Sequence, residues 1–205
     1  GVFGGPATDL LPGVEILHFL DSGLPILSSA ASRPEVVERL RTYTSFARRS
    51  GAEAVLLTCT AFGRLVDEVS AAVDCPVLSV LEIVVDEALN LRGRVGVIGS
   101  HPGTVDGTER LIRQQAAQEG RQVAVESRLC SGAFEALRRN DRGTHDRIVL
   151  QNLRELVPHV DVIVAPQPSM ERTLLSFVSE GRKVPILTSP RLSVGRLKQT
   201  LDSVR

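Results

Sequence analysis

Residues 53–62 read EAVLLTCTAF, and residues 161–170 read DVIVAPQPSM. Each opens on an acidic residue, continues as an aliphatic, β-branched run and ends in small turn-forming residues. A short continuous apolar run bounded by turn residues is the pattern of a parallel strand covered on both faces. The two stretches lie 108 residues apart, which sets Cys59 opposite Gln167. The same offset pairs VEILHF at 14–19 with QVAVES at 122–127. One residue later in register, CPVLSV at 75–80 matches VPILTS at 184–189. The chain thus carries one unit twice. Two copies facing each other bring both turns to a shared cleft, so Cys59 and Gln167 are the first candidates for chemistry.

Strands and helices alternate around these anchors. Residues 14–19 read as a short buried strand. Residues 34–49 place Val36, Val37, Leu40, Tyr43 and Phe46 at helical spacing, with Ser32 as a cap and Gly51 as a stop. Strand 54–57, helix 62–73, strand 77–80 and helix 81–90 complete the first unit. The second runs through strand 94–98, helix 108–118, strand 122–127, helices 131–139 and 144–156, strand 161–165, helix 170–178 and strand 184–187. A terminal helix covers 193–204. Repeated βα units with right-handed crossovers predict an α/β fold of two pseudo-symmetric lobes. Each is a parallel sheet flanked by helices, with the active-site cleft between the carboxyl ends of their strands. The expected lobes are 1–92, joined by the terminal helix 188–205, and 93–187. Subtracting 108 from strand 94–98 places its counterpart before Gly1, so the chain is expected to begin without the first unit's opening strand.

Composition narrows the function. The chain has 205 residues, with Lys+Arg and Asp+Glu each 24, so the formal net charge is zero. Without a basic stripe or tail, a nucleic-acid or anionic-membrane partner is not expected. Aromatic residues at 3% supply few platforms for stacking bases. No apolar run reaches transmembrane length, and the opening GVFGGPATDL carries no leader pattern. Three cysteines without ligand spacing (Cys59, Cys75 and Cys130) fit reduced thiols and a cytoplasmic location. Four scattered histidines make no zinc pair, so no metal is expected.

Cys59 ends an apolar strand and precedes a helix, a position where free N–H groups and the helix dipole favour a thiolate. It is equally readable as a small buried hydrophobe, as most free cysteines are. Thr58 and Thr60 beside it can hold a carboxylate through hydroxyls and backbone amides. Cys75 and Cys130 read as packing residues. Gln167, stiffened between Pro166 and Pro168, can hydrogen-bond but cannot exchange protons near neutral pH. Ser169 either caps the following helix or holds a carboxylate. The turn GSHPGT at 99–104 supplies Ser100 and Thr104, and small residues and hydroxyls at such a turn suit an anion. The turn matches neither nucleotide fingerprint. His101 in it is a base or a solvated loop histidine. Thr188, after the last strand, faces the same side.

LLTCTAFG at 56–63, GVIGSHPGT at 96–104, VIVAPQPSM at 162–170 and ILTSP at 186–190, in this order and with the duplication, resemble the aspartate/glutamate racemase superfamily over about residues 14–197. That superfamily includes hydantoin racemases, maleate isomerases and arylmalonate decarboxylases. The resemblance implies an enzyme without cofactor or metal, acting on a small carboxylate or amino-acid derivative. Two cysteines would flank the substrate's α-carbon, one removing a proton and the other returning one. Cys59 would be one of them. Thr60, Ser100, Thr104, Ser169 and Thr188 would lie near substrate oxygens. Gln167 stands where the second cysteine belongs, so a two-thiol mechanism does not run as drawn. Members with a single thiol, which protonate an enediolate after decarboxylation, keep the cysteine of the second turn; here it is the first. The expectation is therefore an isomerase using Cys59. The alternatives are a single-cysteine decarboxylase and a small-acid binding protein without catalysis. The oligomeric state stays open.

Overall fold

The computed structural model describes residues 1–24, 32–178 and 183–204. Residue 205, the last of the expected terminal helix, lies outside them. After helices α1 (Gly4–Leu10) and α2 (Arg33–Arg49), strands β1 (Val55–Leu57) and β2 (Val77–Ser79) pair in parallel. A 3₁₀ turn (Thr60–Leu65) and helix α3 (Val66–Ser70) connect them. Helix α4 (Val80–Leu91) leads to a second parallel sheet of order β4-β3-β5-β6. Its strands are β3 (Val95–Gly99), β4 (Val125–Leu129), β5 (Val162–Ala165) and β6 (Ile186–Thr188). Between them run α5 (Pro102–Gln118), α6 (Ala133–Arg138), α7 (Arg142–Leu156) and α8 (Glu171–Val178), and α9 (Ser189–Val204) ends the described chain. The fold is α/β, with two parallel sheets flanked by helices.

The repeat is visible in the ladders. Val55 pairs with Val77, Leu56 with Leu78 and Leu57 with Ser79. Ile163 pairs with Ile186, Val164 with Leu187 and Ala165 with Thr188. Offsets of 108 and 109 residues convert the first register into the second.

The larger sheet is buried on both faces because its central strands have no polar side. Val95, Val97, Val162 and Val164 face one apolar cluster, built with α4 and α5. Ile98, Ile163 and Ala165 face the other, with Leu153 and Leu156 of α7 and Leu174 and Phe177 of α8. This period of two, apolar on both faces, is what helices on both sides require. Each fully buried Leu or Phe contributes about 1.5–3 kcal/mol. Helix α4 touches β2 and the 3₁₀ turn as well as β5 and β6, so one apolar helix joins both sheets. Helix α9 packs on α4 and α1, with Val194 and Leu201 against Ala7 and Leu11.

Several local expectations are corrected. Residues 14–19 form no strand, and Ile16, Leu17, Phe19 and Leu20 are exposed, Leu20 by 95%. The reason is pairing. Among the described residues nothing pairs with this segment, whereas its counterpart in the second unit, β4, is held by β3. Phe19 instead packs against the rings of Tyr43 and Phe46. The helix expected over 62–73 divides into the 3₁₀ turn and the short α3. Gly63 lies so close to α4 that a Cβ there would meet Ser79 Oγ at 2.6 Å and Leu81 Cβ at 2.8 Å. Helices α5 and α9 start earlier than the apolar spacing suggests, at Pro102 and Ser189. A proline in the first turn gives up no hydrogen bond and presets φ. Ser32 makes no side-chain cap on α2, whereas Gly51, at φ +94°, follows its end as expected.

Candidate active site

Cys59 follows β1 and caps the 3₁₀ turn in extended conformation, φ −95° and ψ 116°. Its carbonyl accepts from the Phe62 amide at 3.1 Å. Gln167 follows β5 in nearly the same conformation, φ −80° and ψ 116°, and heads its own 3₁₀ turn, Pro168–Met170. Its carbonyl accepts from the Met170 amide, also at 3.1 Å. The two positions are therefore equivalent in backbone as well as in sequence. A parallel strand end followed by a tight turn gives the same geometry to a thiol in one unit and a carboxamide in the other.

Cys59 is half-buried against the core of the first unit. Burial pushes its thiol up, while the Ala61 and Phe62 amides, directed at the sulfur, act the other way. Desolvation outweighs the amides, so the expected resting thiolate is corrected to a thiol. Cys130 is wholly buried and pushed up to about 12, also by desolvation. Burial raises the half-buried Cys75 too, with Arg48 acting against it.

Gln167 is turned into its own unit. Its Oε1 accepts from the Ser100 amide at 2.6 Å, and its Nε2 donates to Ser100 Oγ at 3.1 Å. Ser100 itself is buried. Thr188 donates its hydroxyl to Glu171 Oε1 at 3.0 Å, and Ser189 donates to the Pro166 carbonyl at 3.1 Å. Thr104 lies half-buried in the first turn of α5, its amide donating to the His101 carbonyl at 3.1 Å. Ser169 and Thr58 are exposed, and Thr60 is half-buried. His101 is exposed, with its ring edge-on to Phe134. The structure thus joins Ser100 to Gln167 directly, while Thr58 and Thr60 flank Cys59 along the chain. Helix α5, which follows Ser100, also touches the 3₁₀ turn after Cys59.

Two carboxyls escaped the sequence reading. Glu171, raised by burial, belongs to the second turn; at the 108-residue offset its counterpart is Gly63, so the repeat gives no hint of it. Glu82, in the first turn of α4, is pushed up to about 7 by burial and by the neighbouring Asp67 and Asp86. Its signal was present, an acid inside the apolar run VLEIVV at 80–85. Among the described residues no three His, Cys, Asp or Glu side chains converge as metal ligands. No helix among them is long and apolar enough to cross a membrane. A surface hollow lined by Phe19, Leu20, Asp21, Ser22, Arg39 and Tyr43 contains none of the candidate residues.

The structure is similar to glutamate racemase RacE1 from Bacillus anthracis, with a TM-score of 0.70 at 19% identity over 98% of this chain and 77% of that one. It is similar to allantoin racemase from Klebsiella pneumoniae, with a TM-score of 0.65 at 18% identity over 99% and 82%. It is also similar to PH1733, an aspartate racemase homologue from Pyrococcus horikoshii, with a TM-score of 0.67 at 14% identity over 98% and 91%. At these identities the likeness speaks for the two-lobe fold. No curated protein matches the chain. The family model for Asp/Glu/Hydantoin racemase matches residues 23–197. With most of the chain covered by that match, this protein belongs to the Asp/Glu/Hydantoin racemase family.

Proposed function

We propose that the protein is a cofactor-independent racemase or epimerase of a small carboxylic acid or amino-acid derivative, with Cys59 as its proton-transferring thiol. Family membership supports an isomerase acting on amino acids or small acids. The observation that carries the role of Cys59 is its backbone equivalence with Gln167 on paired strand-end turns. On this reading the lobes are 1–92 and 93–187, the turns meet at a cleft, and Thr58 and Thr60 hold the substrate carboxylate beside the sulfur. The thiol rests protonated. Once it has passed its proton to the substrate carbanion or to solvent, the Ala61 and Phe62 amides stabilise the sulfur anion, and the burial that raises the thiol makes that anion a stronger base toward carbon. A cytosolic setting suits three free cysteines.

Incubation with small chiral acids and hydantoins in D₂O tests the reading. Deuterium enters at the α-carbon in native protein and not in Cys59→Ala. Incorporation that survives in Cys59→Ala removes the thiol from the mechanism.

Racemisation also needs an acid on the opposite face, and Gln167 carries no transferable proton. Glu171 is the nearest carboxyl along that turn, held by Thr188. One observation favours a second reading, one-sided chemistry as in a decarboxylase: Gln167 is engaged with Ser100. Glu171→Gln separates the two. Under racemisation it stops inversion of configuration. Under one-sided chemistry the native protein never inverts, and Cys59 alone decides turnover.

A further inference from the structure

At the strand ends of the second unit, donors that a substrate carboxylate would need are already in use. The Ser100 amide is taken by Gln167 Oε1, and Ser100 Oγ is occupied by Gln167 Nε2. The Thr188 hydroxyl is taken by Glu171. Ser100 is only 4% exposed, so solvent does not compete for these bonds. The clasp is built into the fold. A Cβ on Gly99 would lie 3.0 Å from Gln167 Oε1 and 2.8 Å from Val105 Cγ2, so the carboxamide fills space that only glycine leaves free. In effect Gln167 stands in for a carboxylate in the turn after β3. The first unit is arranged differently. Its turn carries the exposed Thr58, the half-buried Thr60 and two amides aimed at the Cys59 sulfur. Where the first unit has Gly63, the second has the half-buried carboxyl of Glu171.

Resting on the racemase reading, we infer that Gln167 and Glu171 set the substrate class. The protein takes acids with a single carboxylate, bound at the Cys59 turn, whose group toward the second unit is neutral, and it rejects dicarboxylic acids. A second carboxylate would find the Ser100 amide satisfied by the protein's own carboxamide and the Thr188 hydroxyl by Glu171. A charge left without a partner discriminates far more sharply than a missing methylene does.

Glutamine and glutamate, nearly equal in shape, are the probes, each as both enantiomers. Their binding is read by titration calorimetry, separately from turnover. Native protein binds glutamine at least about tenfold more tightly than glutamate, on the scale of discrimination by polar groups. Gln167→Ala opens the Ser100 amide and narrows that ratio by about tenfold. Gln167→Glu keeps an acceptor on the amide and preserves the ratio, which separates loss of the clasp from loss of fold. Circular dichroism checks all three proteins. Equal or tighter binding of glutamate by native protein overturns the inference, as does an unchanged ratio in Gln167→Ala. Absence of binding by both probes overturns it too. If the ratio behaves as expected but no acid exchanges its α-proton, the racemase reading fails and the selectivity of the site stands.

Discussion

Cys59 is governed by two opposed effects, burial that disfavours its charge and two amides that favour it, and burial is the larger. The consequence is measurable. At neutral pH the folded protein holds less Cys59 thiolate than the unfolded chain. Iodoacetamide therefore labels Cys59 more slowly in buffer than in urea at pH 7, and its folded rate climbs as pH rises beyond the ordinary thiol range. Cys130, wholly buried and pushed up to about 12, stays unlabelled until the protein unfolds. Faster labelling of Cys59 in the folded state would show that the amides win. Replacing the thiol removes the proton carrier, so Cys59→Ala loses about 10²–10⁴-fold in α-proton exchange, the usual contribution of a positioned acid or base. Its melting temperature changes little by comparison, because the thiol only partly fills the core beside it. Gln167 was legible as an oddity, a side chain without a titratable proton where chemistry was expected. Its attachment to Ser100 was not legible, because the two residues lie 67 positions apart.

At the scale of elements, α4 carries the largest tension. It joins both sheets through Val80, Leu81, Val84, Val85 and Ala88, yet holds Glu82 among them. The groups that act on Glu82 are Asp67 on α3 and Asp86 one turn along α4. Asp86 is in turn paired with Arg196 of α9 at 3.5 Å and faces Gln115 of α5 and Glu119 just after it. Because its folded pKa is raised from 4.5 to about 7, the contribution of protonated Glu82 is fully present below pH 4.5 and is lost as pH rises through 7. Glu82→Gln removes that part of the pH dependence. At pH 8 it stabilises the protein by about 1 kcal/mol, once solvent screening of a half-exposed group is allowed for. Thermal melts from pH 4.5 to 8 check this, and parallel curves for native and variant protein would refute it. Gly99, at the end of β3, is the second element-scale test. Gly99→Ala drives a methyl into Val105 and the Gln167 carboxamide, and overpacking of this kind costs about 1–3 kcal/mol in a denaturant titration.

Across the whole molecule the two sheets are unequal. Among the described residues the larger has four strands, with β3 and β5 buried on both faces, and the smaller has two, with β1 only half-buried. A two-stranded sheet depends on what packs against it, here α4 and the helices of the first unit. Hydrogen exchange should therefore open β1 and β2 well before β3 and β5, with the amides of 95–99 and 162–165 close to the global limit. Equal protection of both sheets would mean that α4 makes them one cooperative unit.

The α/β class, the duplication and the paired positions 59 and 167 were all determined by the sequence. They rest on local pattern, since apolar runs ending in tight turns recur at a constant offset whether or not the chain is folded. Strand pairing was not so determined. VEILHF has every local mark of a buried strand, but a strand exists only where a neighbour takes its hydrogen bonds, and among the described residues none does. Tertiary structure alone decided the balance of burial against amides at Cys59, the identity of Glu171 as a perturbed carboxyl, and the clasp between Gln167 and Ser100. Each depends on how much water the surrounding chain excludes and on partners brought together from distant positions, and neither quantity is written in the residues next door.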